Sequence, residues 1–144
     1  MRKLIGPLCI LVCTLMLLPV FSAAEASGFG RLYRERLEVG RALLEAQATN
    51  WPSVLPYYTD DIEYHDPVVD IYGIDQMTAF LFQLFGSTPD LVTTIEDETL
   101  VDGVYSVTWT MVGTFADVPY EAKGMSILKF EPWSTQAYYS RDYY

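Results

Sequence analysis

Two strand-like runs, residues 91–101 and 104–115, meet at Asp102-Gly103, and that junction limits the possible folds more than any other feature of the chain. In the second run Tyr105, Val107, Trp109 and Met111 alternate with Ser106, Thr108 and Thr110. A period of two residues on either side of an Asp-Gly step predicts an antiparallel hairpin with one apolar face. Further strands are predicted over residues 120–130 and, after Glu131-Pro132-Trp133-Ser134, from Thr135 onward. The apolar face of such a sheet needs a cover, and the preceding third of the chain supplies helices. Over residues 29–48, Phe29, Leu32, Tyr33, Leu37, Gly40, Leu43 and Leu44 recur at helical spacing, with Arg31/Glu35, Arg34/Glu38 and Arg41/Glu45 as i,i+4 pairs. A short helix is predicted from Trp51-Pro52 toward Tyr58, and a third over residues 74–85, stopping at Gly86. Between these two helices, residues 61–66 alternate as a short strand that Pro67 ends, with Ile62, Tyr64 and Asp66 on one side and His65 on the other. Helices first and a meander afterwards predict an α+β domain with the helices on one face of an antiparallel sheet.

Length and composition add bounds. The 144 residues, 51% of them apolar, suffice for one packed core. Arg2 and Lys3, the apolar run from Leu4 to Phe21 and the small residues after it form the pattern of a signal peptide over residues 1–26, cleaved after Ala24 or Ala26. The competing reading is an uncleaved membrane anchor; Pro7, Pro19 and the small-residue exit favour cleavage. A single domain, residues 27–144, would then be secreted or periplasmic, with no membrane contact after cleavage. Cys9 and Cys13 both fall in the leader, so the mature chain would have no disulfide and no thiol. No Lys or Arg occurs between Ala42 and Ala122, a span with fourteen acidic residues, within a chain of net charge -10. Such a surface repels phosphate backbones, which excludes nucleic acid and anionic membranes as expected partners.

The order of elements joins three motifs: Tyr-Thr-Asp-Asp-Ile-Glu-Tyr-His-Asp-Pro at 58–67 before a Gly-Ile-Asp helix start, Lys-Gly-Met-Ser-Ile-Leu-Lys-Phe at 123–130, and Arg-Asp-Tyr-Tyr at 141–144. Together they resemble the nuclear-transport-factor-like superfamily, in particular its polyketide-cyclase-like (SnoaL-like) branch, over residues 29–144. The resemblance implies a cone: a strongly curved antiparallel sheet packed against three N-terminal helices, leaving an apolar pocket at the open end. It also implies a small apolar ligand, chemistry without a cofactor, and a homodimer formed through the sheet. The family includes isomerases, cyclases, dehydratases and epoxide hydrolases alongside members with no known reaction, so the fold alone does not name a function.

Asp66 is the first candidate general base. Its Asp-Pro setting resembles the position where ketosteroid isomerases carry their proton-moving aspartate, and an apolar pocket raises a carboxyl toward the range useful for proton transfer. The alternative is a turn former, since Asp before Pro readily caps a strand end. Asp142 is the second candidate, because Arg141-Asp142-Tyr143-Tyr144 resembles the Arg-Asp-Tyr-Phe ending of limonene-epoxide-hydrolase-type domains. Alternation puts Asp142 with Tyr138, Ser140 and Tyr144, opposite Arg141. Its alternative is a structural carboxylate bonded to a tyrosine or to backbone. Two departures from those families stand out. Residues 104–116 contain no arginine, which argues against epoxide opening, and the oxyanion positions of the isomerases fall near Ala42 and on Ser126. Tyr64, Tyr138 or Ser126 would have to donate that hydrogen bond. Trp109, Phe80, Phe82, Phe85 and Met111 are either pocket lining or ordinary core. His65, beside Asp66 on a strand, points to the other face and reads as a surface or interface residue. One histidine and no mature cysteine leave zinc short of ligands, and Glu96-Asp97-Glu98 lacks calcium-loop spacing. With no phosphate loop and no serine nucleophile motif, no cofactor is expected. Three functions stay open: an acid/base enzyme using Asp66 or Asp142, a carrier of a hydrophobic ligand, and a dimerising interaction module.

Overall fold

The computed structural model describes residues 23–144, with side chains from residue 28 onward. The apolar run and both cysteines lie outside the described residues. Helix α1 spans Ala23–Leu44 and already begins ahead of both expected cleavage points. A 3-10 helix, Trp51–Tyr57, follows with Pro52 in its first turn. Then come β1 (Tyr58–His65), β2 (Asp70–Tyr72), α2 (Ile74–Ser87), β3 (Val92–Val101), β4 (Val104–Phe115), β5 (Val118–Phe130) and β6 (Ala137–Tyr143). Among the described residues no helix is long and apolar enough to cross a membrane.

All six strands form one curved sheet in the order β2-β1-β6-β5-β4-β3. One expectation is corrected here, because the sheet is mixed rather than antiparallel throughout: β1 and β6 run parallel while every other pair is antiparallel. A parallel pair needs a long crossover, and the whole stretch from β2 through α2 and the β3-β4-β5 meander provides it. Strand β2 had no signal of its own, being three residues of edge strand after Pro67. Helix α2 passes through Gly86, and the Thr88 backbone N–H and Oγ both donate to the Leu84 carbonyl. The expected Asp102-Gly103 turn is present, with φ of 50° and 78°. A second turn of the same kind links β4 to β5 at Ala116-Asp117, at φ of 49° and 64°.

The concave face carries the core. Val39 and Leu43 of α1 and Met77, Leu81 and Phe85 of α2 pack over buried Ile62, Tyr105, Val107 and Leu128 of the sheet. Glycine at position 40 sets how closely α1 approaches, since a Cβ there would stand 2.8 Å from the Tyr105 ring, which is 0% exposed. The Tyr105 hydroxyl donates to Glu98 at 2.8 Å, and Arg41 bonds the same carboxylate in place of the expected Glu45. Arg36 donates to the Ser134 and Glu131 carbonyls at 2.8 and 2.6 Å, tying α1 to the β5–β6 loop. Together these contacts fix the helix against the β3–β4 hairpin and the β5–β6 loop.

Gly40→Ala therefore sets two effects against each other. Helix propensity favours alanine by about 1 kcal/mol, whereas forcing a methyl into a packed core costs about 1–3 kcal/mol. The expected outcome is a net loss of stability, read as a lower urea midpoint; a higher midpoint would mean that the Tyr105 ring moves aside freely.

Candidate functional site

The end of β1 divides its residues between two faces, as the alternation predicts. Ile62 and Tyr64 are buried on the concave side. His65 points outward, where Nδ1 lies 2.6 Å from Asp70 Oδ1 and the ring meets those of Tyr72 and Tyr139. No His65/Asp66 pair exists.

Asp66 stands just past the strand and has two roles, one for each oxygen. Oδ1 accepts the Val68 and Val69 N–H groups, both at 2.6 Å, while the Asp66 N–H donates to the Val69 carbonyl at 2.9 Å. That is the turn-forming alternative realised. Oδ2 faces the interior, 3.2 Å from the Tyr64 hydroxyl and 3.4 Å from that of Tyr144.

Asp142 reaches the same place from β6. Its strand register pairs it with Ser126 of β5, whose hydroxyl donates to Asp142 Oδ1 at 2.5 Å. Trp109 of β4 donates its indole N–H to the Ser126 oxygen at 2.8 Å. An indole nitrogen only donates, so Ser126 must spend its own proton on Asp142. Glycine at position 124 makes room for this: a Cβ there would stand 2.7 Å from the Trp109 ring. The other carboxylate oxygen of Asp142 meets the Tyr64 hydroxyl at 2.8 Å.

Tyr64 thus stands between two carboxyl groups with a single proton to give. It bonds both when one of the acids is itself protonated, and the surroundings move Asp142 toward that form. Burial pushes the Asp142 carboxyl above its ordinary range; the Ser126 and Tyr64 hydrogen bonds pull it down, and the Asp66 charge adds to the rise. Burial, followed by the two nearby carboxylates, also lifts the Tyr64 hydroxyl, which stays a donor. Tyr144 is pushed up to about 12, by burial first and then by Asp66. The resulting chain runs from Trp109 through Ser126, Asp142 and Tyr64 to Asp66.

This chain borders two adjacent spaces. An inner chamber of about 80 Å³ is lined by Tyr58, Tyr64, Ser140 and Asp142 among apolar side chains. An outer vestibule of about 650 Å³ is lined by Asp66, Phe115, Tyr120 and Tyr144, with Val68 and Val69. Phe80, Leu84, Leu91 and Met111 line both, so the two spaces adjoin at these side chains. Among the described residues neither space is lined by a Lys, Arg or His.

The expected site residues fare differently. Asp66, Asp142 and Tyr64 come together. Ser126 is fully buried beneath Asp142, and buried Trp109 lies behind Ser126, so neither forms the cavity wall; both hold the carboxylate. Tyr138 is elsewhere, which corrects its placement with Asp142. The β5–β6 register shifts by one residue between Lys129 and Phe130, so Ala137 and Ser140 both turn inward and Tyr138 turns out. It lines a separate hollow beside Phe29, Tyr33 and Trp133. Phe82 is 70% exposed and touches Trp51, away from the cavity, whereas Phe80 and Phe85 do line it. Ser140 and Tyr144 carry unexpected parts of the site, although alternation from Asp142 already put both on its side.

Sequence comparison agrees with this architecture. The family model described as SnoaL-like domain matches residues 40–132. No curated protein sequence matches the chain. Among solved structures, an epoxide hydrolase from M. tuberculosis, similar to limonene epoxide hydrolase, is 16% identical with a TM-score of 0.67, covering 76% of this chain and 82% of that one. A protein from Jannaschia sp. CCS1 assigned as a SnoaL-like polyketide cyclase is 19% identical with a TM-score of 0.66, covering 76% and 85%. A nuclear-transport-factor-2-like protein of unknown function from Cytophaga hutchinsonii is 12% identical with a TM-score of 0.66, covering 78% and 97%. At these identities the likeness is one of fold.

The raised Asp142 carboxyl has a consequence for stability. A folded-state pKa above the unfolded one gives a contribution that is whole below the unfolded value, about 4, and is lost as pH climbs through the folded value. Asp142→Asn mimics the protonated form and lacks that loss. Urea midpoints across a pH series should show the variant gaining on the parent protein above pH ~4 and then levelling off; a difference independent of pH would contradict the assignment.

Proposed function

The chain belongs to the SnoaL-like domain family, and from that footing we propose that it takes a small, largely apolar molecule into the vestibule and moves a proton on the end that reaches the inner chamber. The observation that carries this is the Tyr64 hydroxyl lying 2.8 Å from Asp142 and 3.2 Å from Asp66 at the base of an apolar cavity. Asp142 is the general base: burial raises its carboxyl, and a higher pKa brings proton transfer closer to balance at neutral pH. Tyr64 donates to the ionised Asp142 and, once Asp142 has taken the substrate's proton, turns its hydroxyl hydrogen to Asp66. Ser126 has no proton left for a substrate oxygen, so that contact falls to the Ser140 or Thr93 hydroxyls in the chamber wall. An isomerase, cyclase or lyase acting without a cofactor fits these parts. Epoxide opening fits less well, because β4 carries no arginine. The leader pattern, Arg2-Lys3 followed by the apolar run, supports action outside the cytoplasm.

The second reading is a carrier that binds without turnover, favoured by the tie of Asp66 Oδ1 to its own turn. A dimer through the outer sheet face is compatible with either reading, and exposed Val92, Val112, Met125 and Tyr143 supply apolar surface there.

Cyclic ketones in D₂O separate the two. With proton NMR as the readout, an enzyme exchanges protons next to the carbonyl faster than buffer does, and Asp142→Asn loses about 10²–10⁴-fold of that rate while still binding. Ketones that bind with no added exchange would overturn the catalytic reading and leave the carrier.

A further inference from the structure

We propose that the vestibule selects protonated amines, with the ammonium group of an otherwise apolar ligand held against Asp66. The inference rests on the reading of this cavity as a ligand site, and it specifies the ligand's charge.

Four observations converge on it. First, the two spaces contain carboxyl groups and, among the described residues, no basic side chain, so an anionic ligand finds repulsion and no partner. Second, Asp66 enters no ion pair within the described residues, whereas Glu35, Glu98 and Asp70 pair with Arg31, Arg41 and His65. Its Oδ1 is filled by two short backbone bonds, but Oδ2 has only two long hydroxyl contacts at 3.2 and 3.4 Å. A carboxylate oxygen so loosely engaged can accept a further strong donor. Third, the rings of Phe80, Phe115, Tyr120 and Tyr144 line the same vestibule. Aromatic faces attract cations, and they attract alkylated ammonium groups while leaving the rest of the wall apolar. Fourth, the stretch from Ala42 to Ala122 has no Lys or Arg in a chain of net charge -10, and a cleft in such a field draws cations toward its opening.

A metal ion suits the vestibule poorly. Hard cations need several oxygen ligands around one point, and among the described residues no group of three or more His, Cys, Asp or Glu side chains gathers anywhere. An organic cation uses both the single carboxylate and the rings. The apolar body fills the vestibule against Phe80 and Met111.

Three probes with one cyclohexyl body test this: N,N-dimethylcyclohexylamine, cyclohexyl methyl ketone and cyclohexanecarboxylate, titrated by calorimetry at neutral pH. The expected result is that the amine binds about tenfold more tightly than the ketone, and that the carboxylate binds most weakly. Asp66→Asn should erase the amine's advantage and leave the ketone's affinity little changed, because the amide oxygen still accepts from Val68 and Val69. Added salt should weaken the amine alone. Ketone binding as tight as amine binding, or an advantage that survives Asp66→Asn, overturns the charge assignment and leaves the apolar pocket standing. Binding by none of the three overturns both.

Discussion

Everything at the site depends on β6 lying between β1 and β5, parallel to one and antiparallel to the other. The parallel pairing places Ser140 beside Tyr64, and the antiparallel pairing places Asp142 beside Ser126. An aspartate from the last strand therefore arrives next to a tyrosine from the first and a serine from the fifth. Any order that separated β6 from β1 or from β5 would cost Asp142 one of these partners. The long crossover needed to lay β6 parallel to β1 also delivers α2, whose Phe80 and Leu84 wall the cavity. One topological constraint thus produces both the acid cluster and the space it faces.

The cluster works because its terms nearly balance. Taking a carboxylate out of water costs several kcal/mol even after relaxation. Hydrogen bonds to a charged group offset about 1.5–3 kcal/mol each, and Asp142 receives two. Burial wins, so the carboxyl holds its proton more strongly than an exposed aspartate, yet the two donors keep the anion within reach. Asp66 accepts two backbone N–H groups on one oxygen. Tyr64 couples the two because its hydroxyl touches both.

Much of this was legible in the chain and some was not, along a clear physical line. Local features read correctly: the Asp102-Gly103 turn from its φ requirements, β4 from alternation, the outward His65 from its place beside Asp66. Asp142 was identifiable from the resemblance of Arg141-Asp142-Tyr143-Tyr144 to a known ending, and counting along the strand added only that it shares a side with Ser140 and Tyr144. Non-local pairing was not. Nothing in residues 58–65 announces a parallel neighbour 76 to 79 residues later, so the sheet read as antiparallel and the reach of Tyr144 to Asp66 went unseen. Tyr138 failed for a different reason, since a single extra residue in β6 inverts the facing of everything before it. The Ala116-Asp117 turn left no mark because alanine seldom adopts a left-handed conformation, which costs it roughly 1–2 kcal/mol.

Sizes constrain the chemistry further. The inner chamber, at about 80 Å³, admits a few heavy atoms, while the vestibule is some eight times larger. A ligand with bulk at both ends cannot place either end against Asp142. On the proposed reading, the reacting part is narrow and near one end of the molecule, and the remainder lies in the vestibule with Asp66 and the rings of Phe115, Tyr120 and Tyr144. The proposed recognition group, Asp66, and the proposed base, Asp142, are then joined through the Tyr64 hydroxyl. On that reading a cation beside Asp66 lowers the cost of a negative charge at Asp142, so filling the vestibule would make the proposed base more available.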